Sequence, residues 1–179
     1  MQLHYGDISI RLLNRADFKV MFRWLTDERV LRYYGGRDLN YTFESLVDHY
    51  SQNFETDGFR TILQYKDIPI GYGQVYQIAG RLFNEYGYPE TDRTVYAMDQ
   101  FIGEPDYWNC GIGTVYLKML CKYLKETKGT DIVLLDPHKN NHRAVRAYQK
   151  AGFKIIGELP EHELFEGKKE DCWLMEIQL

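Results

Sequence analysis

The stretch from Tyr107 to Leu120, YWNCGIGTVYLKML, decides how this chain is organised. Two glycines, Gly111 and Gly113, stand directly before an apolar pattern at helical spacing. Glycine lets the backbone turn so that successive N–H groups converge, and the helix behind adds its positive N-terminal end. The amides of Asn109, Cys110, Gly111, Ile112, Gly113 and Thr114 would then form a seat for an anion. The same residues serve equally well as a tight loop with no ligand, so the flanking segments carry the decision.

Downstream, the helix is expected to run to about Lys128 and DIVLLD (131–136) to form a buried strand. NNHRAVRAYQKAG (140–152) then forms a helix closed by Gly152, followed by strands at FKIIGEL (153–159) and DCWLMEIQL (171–179). Upstream, ISIRLL (8–13) is a first strand, followed by helices over 14–27 and 42–54. FRTILQY (59–65), IPIGYGQVYQI (68–78) and TVYAMDQFIG (94–103) form an antiparallel meander. The insert at 79–93, AGRLFNEYGYPETDR, is long for a hairpin connection and is expected to be a substrate loop. The order β-α-α-β-β-β-α-β-α-β-β predicts an α+β fold with a mixed sheet.

At 179 residues and 44% hydrophobic content, with no Pro/Gly/Ser linker, the chain predicts one domain over 1–179. Its apolar runs are far shorter than the roughly 20 residues a membrane helix needs, and MQLHYGDISIR lacks a signal peptide's apolar core. A cytoplasmic protein without a membrane partner is expected. Three cysteines without a C-x-x-C pair argue for reduced thiols and against a thiolate metal site. His138 and His142 straddle a loop and a helix start, and HELFE (162–166) lacks a second histidine, so no metal is expected. A net charge of −4 gives nucleic acid no basic stripe and favours a cationic small partner, which 15 tyrosines would suit as cleft walls.

Two carboxylates stand out. Asp99 interrupts a strand otherwise built for burial, VYAMDQF, and Asp136 ends IVLLD just before Pro137. A buried carboxylate is costly without a task or partner. At the ends of adjacent strands the pair could hold a cationic amine and take its proton. Alternatively, Asp99 pairs with an arginine and Asp136 caps the following loop. Cys110 has no histidine near it in sequence and is not expected to act as a nucleophile.

The glycine loop and a second motif, Asn141, Ala144, Tyr148, Lys150, Gly152 and Phe153, resemble the signatures of the GCN5-related N-acetyltransferase (GNAT) superfamily. The resemblance covers nearly the whole chain, with one departure: Trp108 stands where that family usually has Gln or Arg. It implies acetyl-coenzyme A as acyl donor, with Trp108 to Thr114 at its diphosphate and Asn141, Ala144 and Tyr148 alongside. It also implies a sheet that splays between its fourth and fifth strands, here 94–103 and 131–136, so that Phe101 and Ile102 present backbone groups to the pantetheine arm. Tyr148 becomes the acid that protonates the departing thiolate.

WLTDERVLRYYGGRD, PIGYGQVY, YAMDQFIGEPDYW and LLDPHKNNHRAVRAYQKAGF look like the aminoglycoside 6'-N-acetyltransferases, particularly the acetyltransferase half of the bifunctional resistance enzyme. That likeness implies Asp99 at the 6'-amine, Asp136 as a second acid, and Tyr34, Asp48, Gln74 and Tyr76 lining the acceptor cleft. Acetylation alone is expected, without kinase activity, from a monomer or weak homodimer. An acetyltransferase of protein N-termini or polyamines, or a non-catalytic coenzyme A binding module, would share the cofactor motifs.

Overall fold

Long β-branched and aromatic strands buried on both sides need cover on both faces, and the chain supplies it. The computed structural model describes residues 1–179. Strands β1 (Gln2–Tyr5), β2 (Ile8–Leu12), β3 (Gly58–Tyr65), β4 (Ile68–Gln77), β5 (Val95–Ile102), β6 (Ile132–Leu135), β7 (Lys154–Phe165) and β8 (Lys168–Gln178) form one sheet. Their order is β1-β2-β3-β4-β5-β6-β8-β7, and only the β5–β6 pair is parallel. The helices are α1 (Phe18–Trp24), α2 (Glu28–Leu31), α3 (Phe43–Ser51), α4 (Arg81–Glu85), α5 (Ile112–Lys128) and α6 (His142–Ala151).

One face carries α5 and α6 over Val75, Tyr96 and Met98. Leu117, Leu120 and Leu124 of α5, at spacings of three and four, are fully buried there. Each such side chain contributes about 1.5–3 kcal/mol of transfer free energy. The other face carries α1 to α3 over Ile62, Tyr72 and Phe101.

The sheet opens where it was expected to. β5 and β6 pair only over Val95–Ala97 and Ile132–Leu134, yet β5 continues to Ile102 against β4. Beyond Leu135 the chain follows β8 instead: Trp173 N–H donates to Pro137 O (2.9 Å), and Lys139 N–H donates to Asp171 O (3.0 Å). β5 is left with an unpaired edge from Met98 onward.

Four differences from the sequence-based expectations have physical causes. The N-terminus forms β1, an eighth strand, because Gly6 takes a positive φ of 56° and turns the chain back on β2. The first helix is broken, ending at Trp24 before Asp27 caps α2 through the Arg29 N–H (2.9 Å). The 79–93 insert, expected to be a substrate loop, is not an open loop throughout: it folds α4, buries Phe83 and Tyr86 in an apolar cluster with β5, β6 and β8, and contributes no residue to the lining of the protein's large cavity. Finally, β7 runs six residues past Leu159, its previously expected end, to Phe165. Pro160 argues against a strand interior, but β7 is the sheet edge and carries an irregularity between Leu159 and Glu163, where proline is tolerated.

The β7–β8 turn is fastened across the molecule. Gly167 N–H donates to Asp38 Oδ2 (2.9 Å), while the Glu166 carboxylate accepts from Arg37 N–H (2.8 Å) and Nε (2.7 Å).

Candidate active site

A cavity of about 710 Å³ passes through the opening between β5 and β6. It is lined by residues from both faces of the sheet, and its two ends have different chemistry.

At one end lies the glycine loop. Gly111 adopts a φ of 78°, as a residue without a Cβ readily does, and opens α5 with no side-chain cap. α3 and α6, by contrast, are capped by Thr42 and Asn141. The first N–H groups of a 17-residue helix therefore face the loop without a side-chain acceptor. Asn109, Gly111, Ile112, Gly113 and Thr114 all line the cavity; Cys110 is exposed and does not. A Cβ built on Gly113 would meet nothing nearer than Ile102 Cδ1 at 3.9 Å, so the fold leaves that space open.

Trp108, the departure from the usual Gln or Arg, has its own contacts. Its Nε1 donates to Ile102 O (2.7 Å), and the Arg143 guanidinium lies 4.1 Å from its ring and 4.2 Å from that of Tyr33. A cation thus reaches the loop from α6, held between aromatic faces. Asn141 and Ala144 line the cavity beside it, with Asn141 Oδ1 accepting from Ala144 N–H at 3.2 Å.

The β5 edge supplies backbone groups. Gly103 donates to Ile70 O and Ile78 donates to Val95 O, which turns the odd-numbered residues of β5 toward β4 and the even-numbered ones toward the opening. Ile102 therefore lies on the free edge with Gln100. Phe101, expected to share that role, turns its backbone to Tyr72 and its ring to Tyr34, 4.6 Å between centroids. The correction follows from the period of two.

Alternation also separates Asp99 from Gln100. On the α1–α3 face, Gln74 Nε2 donates to Asp99 Oδ2 (2.6 Å), and Tyr72 Oη donates to Gln74 Oε1 (2.9 Å). Burial, then the Asp136 charge, push the Asp99 carboxyl up to about 7, against the pull of the Gln74 hydrogen bond. No arginine pairs with it. On the α5–α6 face, Gln100 Nε2 donates to Tyr148 Oη (2.6 Å), and burial pushes the Tyr148 hydroxyl above its ordinary value.

Around Asp99 this end of the cavity is acidic. Asp136 accepts from His162 Nε2 (3.0 Å), and Glu163 from His138 Nε2 (2.7 Å). Each carboxylate raises its histidine's pKa through that hydrogen bond. Tyr34, Gln74 and Tyr76 line the same cavity, with Tyr76 Oη 2.5 Å from Tyr86 Oη. Asp48 does not: it is exposed on α3, outside the cavity, because Leu46 and Tyr50 are the residues that helix turns inward.

His138, Glu163 and Cys172 bring ligand-type atoms within 4.8 Å of one another. Burial and nearby carboxylates hold the Cys172 thiol in its protonated form, and the imidazole is already paired to Glu163. The trio is an ion pair over a buried thiol.

Glu163, His138, His162, Gln100 and Arg143 were not expected in the site. Gln100 was open to inference, since a neighbour of Asp99 on a strand must face the other way. Glu163 and His162 were hidden by the strand that was expected to stop before Pro160.

Residues 14–160 match the family model of the acetyltransferase (GNAT) domain. The chain belongs to the GNAT acetyltransferases. Over 152 residues it is 27% identical to the aminoglycoside N(6')-acetyltransferase type 1 of Klebsiella pneumoniae, covering 84% of this chain and 75% of that one. The structure of AAC(6')-Ib with ribostamycin and coenzyme A superposes with a TM-score of 0.73 at 23% identity, covering 97% of this chain and 94% of the other. Spermidine N-acetyltransferase from Vibrio cholerae, with coenzyme A and spermine, gives 0.79 at 18%, covering 97% and 96%. These likenesses establish the GNAT fold, and with it acetyl-coenzyme A as the acyl donor. The site fits that donor: an uncapped helix start for its diphosphate, open space at Gly113, a free β5 edge, and a buried Gln100 Oε1 that has no partner.

Proposed function

We propose that this GNAT acetyltransferase transfers acetyl from acetyl-coenzyme A to the 6'-amine of aminoglycosides, which would protect a cell against those antibiotics. The observation that carries this reading is the convergence of Asp99, Asp136 and Glu163 on one wide, tyrosine-walled cavity. A polycationic, hydroxyl-rich acceptor needs acid on several sides and aromatic faces for its sugar rings.

In this reading Asp99 holds the ammonium and takes its proton, a task for which a carboxyl near 7 is well matched. The freed nitrogen attacks the thioester carbon, whose oxygen is met by the Ile102 N–H. The C–S bond breaks with its electron pair going to sulfur, and Tyr148 gives its hydroxyl proton to the thiolate. The nitrogen's second surplus proton restores Tyr148, and Asp99 releases its own to solvent. Asp136 and Glu163 bind further ring amines, exchanging their histidine partners for the acceptor's ammonium groups.

Thiol release from acetyl-coenzyme A, followed by mass spectrometry of the products, tests the assignment on kanamycin, paromomycin, spermine and a peptide. Kanamycin should be acetylated once, and paromomycin, with a hydroxyl in place of the 6'-amine, should bind without being N-acetylated. Acetylation of paromomycin on another amine would refute the 6' assignment. A preference for spermine would move the chain to the polyamine acetyltransferases, and inertness to all four would leave a coenzyme A binding module.

A further inference from the structure

We propose that Gln100 is the positioning residue of the acid step: its amide N–H holds the Tyr148 oxygen as an acceptor, leaving the hydroxyl proton free for the departing sulfur. The inference rests on the reading of Tyr148 as the thiolate's proton donor.

The geometry is specific. Gln100 Nε2 lies 2.6 Å from Tyr148 Oη, both residues line the cavity, and the contact joins β5 to α6 across 48 positions of sequence. A phenol oxygen offers one proton and two lone pairs. With a lone pair committed to the amide N–H, the proton has no need to point at Gln100 and finds no other protein acceptor. A buried hydroxyl with an unused proton beside the channel is the arrangement that thiolate protonation requires.

The same contact answers a second difficulty. Burial makes the Tyr148 hydroxyl a weak acid, and the Gln100 hydrogen bond works against that effect. As the proton leaves Tyr148 for sulfur, negative charge develops on the partly buried Oη, where a donor already aimed at it is most valuable. Gln100 supplies that donor with no reorganisation. Period-two alternation on β5 does the rest: Asp99 faces the acceptor amine, and its neighbour Gln100 serves the leaving group on the opposite face. One dipeptide thereby divides the accepting and giving of protons between the two sides of the opening.

The test is a double-mutant cycle of Gln100→Leu and Tyr148→Phe, read as kcat at saturating acetyl-coenzyme A, with thermal unfolding as a control for folding. Hydrogen bonds to a charged oxygen predict a loss in Gln100→Leu of about 10- to 100-fold in kcat. KM for the acceptor should stay within about twofold, because Gln100 lies on the other face. In the Tyr148→Phe background the same substitution should cost almost nothing further, since the oxygen it positions is gone. Gln100→Glu keeps the size but, ionised, cannot donate, and should lose as much; it carries the test if Gln100→Leu does not fold. Equal losses in both Tyr148 backgrounds would overturn the proposal by showing a merely structural role. A Gln100→Leu enzyme as active as wild type or faster would overturn it by showing that the amide had tied up the proton. A fully active Tyr148→Phe enzyme would instead sink the Tyr148 reading itself, a result independent of the Gln100 single variants.

Discussion

The two ends of the cavity are made of different material. The donor end is mainly backbone: the first turn of α5, a glycine with φ of 78°, and the free edge of β5. The acceptor end is mainly side chain: Asp99 from β5, Asp136 after β6, Glu163 from β7 and Tyr34 after α2. Backbone groups cannot be altered by point mutation, only crowded, whereas a carboxylate is replaced in one step. A shared acyl donor on a constant seat, with acceptor choice left to exchangeable side chains, follows from that difference.

The largest effect should come from the acceptor end. Asp99→Asn keeps shape but removes the proton acceptor, and kcat should fall by about 10²- to 10⁴-fold while acetyl-coenzyme A binding, followed by calorimetry, stays nearly constant. A comparable loss of donor affinity would erase the distinction between the ends. The wild-type kcat/KM should rise with pH through about 7 as Asp99 ionises, and this limb should vanish in the variant. Stability gives the opposite sign. Asp99 has a folded-state pKa raised above its unfolded value, so its contribution is fully present below about 3.8 and is lost as pH rises through about 7. Asp99→Asn should therefore unfold at higher temperature than wild type at pH 8 and gain nothing at pH 4.

Tyr148→Phe, at the boundary between the ends, should lower kcat by about 10- to 1,000-fold with either KM little changed. Full turnover would assign the protonation of sulfur to water.

At the donor end, Gly113→Ala should separate fold from function. The built Cβ has room, and alanine favours a helix over glycine by about 0.8–1 kcal/mol, so the melting temperature should rise. Acetyl-coenzyme A affinity should nonetheless fall, by roughly tenfold for the loss of about 1.4 kcal/mol of contacts. Unchanged affinity would remove Gly113 from the seat.

The smallest effects belong to the outer carboxylates. Asp136→Asn and Glu163→Gln should each raise KM for a polycationic acceptor by ~3- to 10-fold and flatten its salt dependence, which steady-state kinetics at two ionic strengths would measure. Unaltered salt dependence would leave Asp99 as the sole charge in recognition.

The same difference explains what the sequence made legible. Backbone sites leave local marks: glycines before a helix, an asparagine cap, a strand ending at a proline. The order of strands from residue 8 onward, the long helices α3, α5 and α6, the opening beside β5 and the loop around Gly111 were readable in this way, whereas the break between α1 and α2 and the short α4 were not. Asp99 was readable because a carboxylate in VYAMDQF breaks the burial pattern. Glu163 breaks no pattern, since it stands among the charged and polar residues of PEHELFEG, and its place depends on how far β7 extends along β8. Arg143 likewise lies in an unremarkable helix, and its position between Tyr33 and Trp108 joins three separate segments. Tertiary side-chain sites of this kind have no local signature.

The clasp between the β7–β8 turn and residues 37–38 bears on the order of assembly. Its hydrogen bonds close the chain over 129 residues, whereas the anion seat is formed by residues within a single turn of helix and the loop before it. Closing so long a loop is entropically unfavourable until the intervening strands have paired. The fastening of the Glu163 hairpin to residues 37–38 must therefore come after the sheet from β3 to β8 exists. A chain part-way through folding could have its anion seat formed before that side of the cavity is tied down.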